Sequence, residues 1–201
     1  MRIVGGRLRG KKLIAPPHQG TRPTSDRTRE TLFNILLHNP HLGPSVLLGK
    51  RVLDVFAGTG ALGLEALSRG AKSVSFIEND PAALKVLREN LKAFDLPALQ
   101  IFEEDAIHLS CVPIAPFDLI FLDPPYHQNL LVPSLENLYH NGWLGEGAIV
   151  VMEMAKDEEI IIPTFLTLIL ERPSGAAKLA FCRCGNPLAL QNDMCQDAGL
   201  S

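Results

Sequence analysis

From Arg51 onward the chain repeats one pattern: a short apolar run, a glycine or polar turn, an amphipathic stretch, then another apolar run. Val52-Leu53-Asp54-Val55-Phe56 reads as a strand, Ala61 to Arg69 as a helix stopped by Gly70, and Ser73-Val74-Ser75-Phe76-Ile77 as the next strand. Pro81 stands at a natural first helical position for a segment reaching Phe94, and Leu99–Phe102 and Phe117–Leu122 supply two further strands. Strands that are apolar along nearly their whole length need cover on both faces, and strands separated by helices run parallel. The pattern therefore predicts an α/β fold with a parallel sheet between helices.

The two ends differ from this middle. After Tyr126 the pattern predicts a helix near Leu130–Tyr139, a turn at Asn141-Gly142, a strand at Ala148–Met152, and weaker strands near Phe165–Leu170 and Lys178–Cys182, a hairpin-like ending. Before Arg51, Ile3-Val4 and Lys12-Leu13-Ile14 read as a small hairpin, and Pro16, Pro17, Gly20 and Pro23 as an irregular link. Ser25 or Asp26 then caps a helix that ends near Asn39-Pro40. The expected organisation is a basic extension over residues 1–40, a central domain over 41–184, and a loose tail over 185–201.

With 46% hydrophobic residues in 201, the chain can bury one good core. The run Ile160–Leu170 contains Pro163 and is too short to span a bilayer, and the basic, glycine-rich start lacks the apolar segment of a secretory signal. A cytoplasmic monomer is expected. In that compartment Cys111, Cys182, Cys184 and Cys195 read as free thiols; Cys182-Arg-Cys184 has neither a second close pair nor a nearby histidine, so no metal is expected. The net charge of −3 hides an asymmetry: residues 1–30 carry eight basic and two acidic side chains, a net +6, which leaves −9 for the remainder. A basic arm on an acidic body is a footprint for phosphate, because counterion release depends on the local patch; a merely solvated terminus is the alternative.

Asp54-Val55-Phe56-Ala57-Gly58-Thr59-Gly60 places glycines where a strand must turn into a helix, so a ligand can approach the main chain closely. Glu78 ends the following strand, where it can accept hydrogen bonds from ribose hydroxyls. Gly58-Thr59-Gly60-Ala61-Leu62-Gly63 also satisfies the dinucleotide fingerprint, which keeps an NAD-dependent dehydrogenase open. Asp54 argues the other way, since an acid four residues before the first glycine repels a pyrophosphate but can hold the ammonium group of a sulfonium ligand. Asp105, after the third strand, either accepts from an adenine amino group or caps a short helix over Ala106–Leu109.

Asp123-Pro124-Pro125-Tyr126 follows the apolar strand directly. Consecutive prolines fix φ and remove two backbone donors, leaving a stiff loop of free carbonyl oxygens beside a carboxylate. Such a loop suits an NH₂ group. A purine's exocyclic amine is a poor nucleophile because its lone pair is delocalised; with one N–H taken by Asp123 and the other by the Pro124 carbonyl, that pair turns toward an electrophilic methyl. Tyr126 offers a face for stacking the base, worth on the order of 1–3 kcal/mol; His127 beside it reads, like the other histidines, as a surface or cap residue, with contact to substrate the alternative.

Asp54–Gly60, Glu78 and Asp123–Tyr126 resemble the motifs of class I methyltransferases that act on amino groups through an Asn/Asp-Pro-Pro-Tyr loop. The opening Ile3-Val4-Gly5-Gly6, Arg9-Gly10-Lys11-Lys12-Leu13 and Arg22-Pro23-Thr24-Ser25-Asp26-Arg27-Thr28-Arg29-Glu30-Thr31-Leu32-Phe33-Asn34 closely resembles the RsmD family, which methylates guanine N2 in small-subunit (16S) ribosomal RNA. The likeness extends to about Cys182. It implies a Rossmann-like, seven-stranded, mostly parallel sheet with an antiparallel last strand. It also implies S-adenosylmethionine held by Asp54, Phe56, Ala57, Gly58, Gly60, Glu78, Asn79, Asp105 and Ala106, and a base captured by Asp123, Pro124 and Tyr126. On the same analogy Arg7, Arg9, Arg22, Arg27 and Arg29, with Lys11 of the same arm, hold phosphates of ribosomal RNA or of an assembling small subunit. Asp26 and Glu30 pairing with those arginines is the alternative. An adenine-N6 enzyme and a non-catalytic RNA-binding protein remain rival readings.

Overall fold

The computed structural model describes residues 1–15, 26–43, 45–94 and 99–185. In chain order the elements are α1 (Asp26–His38), β1 (Arg51–Val55), α2 (Ala61–Ser68), β2 (Ser73–Ile77), α3 (Pro81–Lys92), β3 (Leu99–Phe102), β4 (Phe117–Leu122), α4 (Leu131–His140), β5 (Leu144–Ala155), β6 (Leu166–Ser174) and β7 (Ala177–Cys184). Ser25, Arg22 and the tail from Asn186 lie outside the described residues.

One seven-stranded sheet has the order β3-β2-β1-β4-β5-β7-β6. Every pairing is parallel except those of β7, which runs antiparallel to both β5 and β6. The expected reversed last strand is therefore β7, inserted between β5 and β6. The order reverses between β1 and β4, the switch point where a doubly wound sheet opens a crevice for ligands. Register completes the placement: Val55 faces Ile77 and Leu122, Ile77 faces Phe102, and Leu122 faces Met152. The loops after β1, β2, β3 and β4 thus leave one edge of the sheet side by side.

The period of two along each strand divides the apolar residues between two cores. On one face Leu32, Phe33 and Leu36 of α1, Leu64 and Leu67 of α2 and Leu87 of α3 pack over Val52, Phe76, Leu119 and Phe121. On the other, Leu131, Leu135 and Leu138 of α4 and the buried Trp143 cover Leu53, Val55, Ile120 and Met152. The β4–β5 pairing slips between Phe117 and Leu119, where Gly145 and Gly147 lie on β5, so β5 begins four residues before the expected Ala148.

The amino-terminal arm pairs more briefly than a hairpin. A single antiparallel bridge joins Arg2 to Lys12, with the Ile3 amide donating to the Lys11 carbonyl at 2.9 Å, and a 3-10 turn over Gly6–Leu8 fills the loop. Beyond the bridge the arm turns onto α2 instead of pairing with itself. Val4 N–H donates to Glu65 Oε2 (2.8 Å), Leu8 N–H to Ser68 Oγ (2.9 Å), and Ser68 Oγ–H to the Gly5 carbonyl (2.5 Å). Every residue of α2 is buried as a result, with the sheet on one side and the arm on the other. Glu65 is fully buried and is satisfied by Val4 and by Arg69 Nε at 2.7 Å.

Candidate active site

The loop after β1 is tightly bent. Phe56 has φ +61°, a conformation costly for a residue with a Cβ, and Gly58 and Gly60 have φ +55° and +76°. A Cβ on Gly60 would stand 2.6 Å from Leu87 Cδ1, so this glycine lets the loop sink onto α3. At Gly58 a Cβ meets, among the described residues, only the Phe56 carbonyl oxygen, at 3.9 Å, which leaves the loop's outer side open to a ligand.

Three acids lie at this edge of the sheet, each fixed by backbone amides, with Asp54 and Glu78 bound to the loop after β1 or the helix that follows it and Asp105 two strands away, after β3. Asp54 is buried and its Oδ2 accepts from Gly63 N–H at 2.8 Å, tying β1 to the first turn of α2. Burial raises its pKa well above the carboxylate range, the Gly63 hydrogen bond opposes this, and the charges of Asp123 and Glu78 add to the rise. Glu78 accepts from Gly58 N–H (2.8 Å) through Oε2 and from Asn79 and Asp80 N–H (2.9 Å each) through Oε1. Its carboxylate therefore joins the loops after β1 and β2. Asp105 Oδ1 accepts from Ile107 N–H at 3.1 Å, and its Oδ2 lies 3.6 Å from His108 Nδ1. The expected helix over Ala106–Leu109 is a turn instead, closed by His108 N–H on the Asp105 carbonyl at 2.9 Å; four residues are too few to repay helix nucleation.

Asp123-Pro124-Pro125-Tyr126 leaves the same edge immediately after β4, beside the glycine loop. Tyr126 keeps part of its ring exposed and donates its hydroxyl to Glu153 Oε1 at 2.9 Å. His127 (φ +60°) donates its backbone N–H to Glu158 Oε1 at 2.6 Å, and Glu158 Oε2 accepts from Ala155 N–H at 2.7 Å, so the end of β5 clamps this loop. Next to the loop lies a cavity of about 500 Å³ bounded by Pro124, Pro125, Leu131, Glu136, Glu158 and Ile160.

Glu153 is the site residue that the sequence reading missed. It lies one residue beyond the expected strand end, buried, with its carboxyl pushed up to about 7 by burial and by Asp123 against the Tyr126 hydrogen bond. Burial, then the Glu153 charge, raises the Tyr126 phenol in turn. A lone acid in the run Ile149-Val150-Val151-Met152-Glu153-Met154-Ala155 was the available signal.

The basic arm needs one correction. Arg29 is completely buried, and its Nη2 donates to the Arg2 carbonyl (2.6 Å) and to Asp26 Oδ1 (2.7 Å). It ties the arm to α1 and has no surface for a phosphate. Arg7, Arg9, Lys11 and Arg27 are exposed, although Lys11 also lies over the Phe94 ring at 4.7 Å. The arm reaches the site: Thr59 of the glycine loop contacts Met1 Sδ at 3.6 Å, and Asn90 of α3 joins the Thr59 carbonyl (2.9 Å) to Ile14. Cys182 and Cys184 are buried in β7, and burial pushes the Cys182 thiol up to about 12.

A family model described as conserved hypothetical protein 95 matches residues 1–183. The ribosomal RNA small subunit methyltransferase D of Haemophilus influenzae is 38% identical over 179 residues, covering 87% of this chain and 89% of its own length. The protein of the same name from Escherichia coli is 37% identical over 176 residues, covering 87% and 85%. The solved structure of yhhF from Escherichia coli superposes with a TM-score of 0.79 at 35% identity, covering 92% of this chain and 98% of that one.

Proposed function

Because the chain belongs to the RsmD family, we propose that it transfers a methyl group from S-adenosylmethionine to the exocyclic N2 amine of a guanine in small-subunit ribosomal RNA. The observation that carries this reading is the pairing of β1 with β4, Val55 opposite Leu122, which brings the glycine loop and the Asp123 loop to one cleft. The relatives named ribosomal RNA small subunit methyltransferase D support the substrate class.

The cofactor fits the donor set. Glu78 and Asp105 give this edge negative charge, and an incoming ammonium group offsets the burial that raises the Asp54 pKa, which suits a sulfonium carrying an ammonium group and disfavours the pyrophosphate of a dinucleotide. S-adenosylmethionine supplies an electrophilic methyl when bound. Glu78, already oriented by three amides, turns its remaining lone pairs to ribose hydroxyls, and Asp105 faces the adenine amino group. Phe56, Ala57, Asn79 and Ala106 complete the walls, and Asp54 holds the ammonium group directly or through water. Asp123 and the Pro124 carbonyl take the two N–H bonds of the target amine, and the Tyr126 ring stacks the base. Orientation by acceptors already in place supplies most of the catalysis, and proton loss follows attack. Arg7, Arg9, Lys11 and Arg27 hold phosphate on the arm that abuts the glycine loop. The enzyme acts as a cytoplasmic monomer; among the described residues no helix is long and apolar enough to cross a membrane.

Incubating the protein with methyl-labelled S-adenosylmethionine and unmodified small subunits, then digesting the RNA, is expected to give labelled N2-methylguanosine. Labelled N6-methyladenosine would establish the adenine reading instead. Glu78→Gln leaves one oxygen to serve three amides, and isothermal titration should show cofactor affinity falling about tenfold or more. Affinity within twofold of wild type would remove Glu78 from the cofactor site.

A further inference from the structure

We propose that Glu153 is a positioning residue for the transfer: one carboxylate oxygen fixes the Tyr126 hydroxyl, and its charge beside Asp123 stabilises the positive charge that develops on the attacked amine. This rests on the proposed transfer to an amine. β4 and β5 pair in parallel with Leu122 opposite Met152, so Asp123, the first residue after β4, stands beside Glu153 of β5. Residues level with each other in parallel strands present side chains to the same face.

Glu153 does nothing for the sheet that an apolar residue would not do better. It is 7% exposed, between Met152 and Met154 and opposite Leu179 of β7. Its Oε1 holds Tyr126, while Oε2 is buried with no hydrogen-bond partner among the described residues. A buried carboxylate with an unused oxygen costs stability, and such cost is characteristic of sites kept for chemistry. The charged or titratable groups around it are Asp123 from the end of β4, Tyr126 from the loop that follows, and Glu158 from the loop after β5, which acts on Tyr126. Leu179 of β7 adds none.

As the amine nitrogen bonds to the methyl carbon, the S–C electron pair stays with sulfur and the positive charge passes to nitrogen until one N–H proton leaves to the Asp123 carboxylate. A second anion at this end of the cleft favours that movement of charge. Glu153 with its pKa raised is only partly ionised at neutral pH, so the rate should rise with pH as it loses its proton.

Glu153→Gln keeps the shape and an oxygen for the Tyr126 hydroxyl but removes the charge. Wild-type kcat is expected to rise with pH through a midpoint near 7. In Glu153→Gln that limb flattens, with plateau kcat about tenfold lower and KM for the RNA within about threefold. Tyr126→Phe removes the hydrogen bond that favours ionised Glu153, so its midpoint moves to higher pH. A readout without substrate is carbon NMR of ζ-labelled tyrosine, with the Tyr126 signal assigned by its loss in Tyr126→Phe. Glu153→Gln should lower the Tyr126 pKa by roughly one unit or more. An unaltered pH limb in Glu153→Gln, or a Tyr126 that titrates as in wild type, overturns the proposal. A wild-type protein that methylates no RNA overturns the functional reading and the charge role together, a result distinct from either of those.

Discussion

Replacing Asp123 by alanine is expected to lower kcat for methyl transfer about a thousandfold, the cost of removing a preorganised group that acts on the reacting atoms. Isothermal titration should find S-adenosylmethionine affinity within a few-fold of wild type, because Glu78 and the glycine loop are untouched. The split follows from the strand ends: Asp123 stands after β4, while the residues proposed to hold the cofactor stand at or after the ends of β1, β2 and β3. Asp123→Asn retains a carbonyl acceptor and should fall between the two. Activity in Asp123→Ala within tenfold of wild type would show that the amine is oriented by something else.

Gly6→Ala is expected to lower the melting temperature by roughly 5 °C, from about 2 kcal/mol of lost stability in a chain of this size. Two effects combine. Gly6 has φ +73°, strained for any residue with a Cβ, and an added Cβ would sit 2.1 Å from the Ser68 carbonyl oxygen. That oxygen belongs to helical backbone and cannot swing aside, so the arm must lift. Lifting it breaks the Val4–Glu65 and Leu8–Ser68 hydrogen bonds and leaves the Glu65 carboxylate short of a donor. Because Arg7, Arg9 and Lys11 ride on this arm, KM for the RNA should rise as well. Gly10→Ala is the control: φ is +86° but a Cβ meets nothing within 4 Å among the described residues, so only the backbone strain applies. Scanning fluorimetry giving equal melting temperatures for the two variants would show that the arm is not seated on α2.

Some of the fold was legible because its signals are local. β2 and β3 have the limits expected from their apolar runs, and α1, α3 and α4 fall within two residues of theirs. The glycine loop and the Asp-Pro-Pro-Tyr loop could also be read locally, since proline and glycine restrict or free φ whatever surrounds them. Other residues were read wrongly because their roles depend on distant partners. Arg29 reads as a phosphate ligand like Arg7 and Arg9; the alternative, pairing with Asp26, holds for it, and what the sequence did not show is its burial against the Arg2 carbonyl, 27 positions away. α2 reads as an outer amphipathic helix, yet its polar side is covered by an arm some sixty positions earlier in the chain.

By itself, the sequence determined the strands and helices from Arg51 onward except the short helix expected over Ala106–Leu109, that these strands lie in a buried sheet, and which loops carry acceptors and glycines. Periodicity, φ restriction and composition act over a few residues, and a few residues suffice to read them. Tertiary structure alone decided which loops share a cleft and which charges are spent on folding. Asp123 meets Glu153 only because β4 pairs with β5 in one register, and the Glu153 carboxyl is perturbed only because that pairing buries it beside another acid and a phenol. Desolvation and charge coupling depend on distance in space, which strand register sets and spacing along the chain does not.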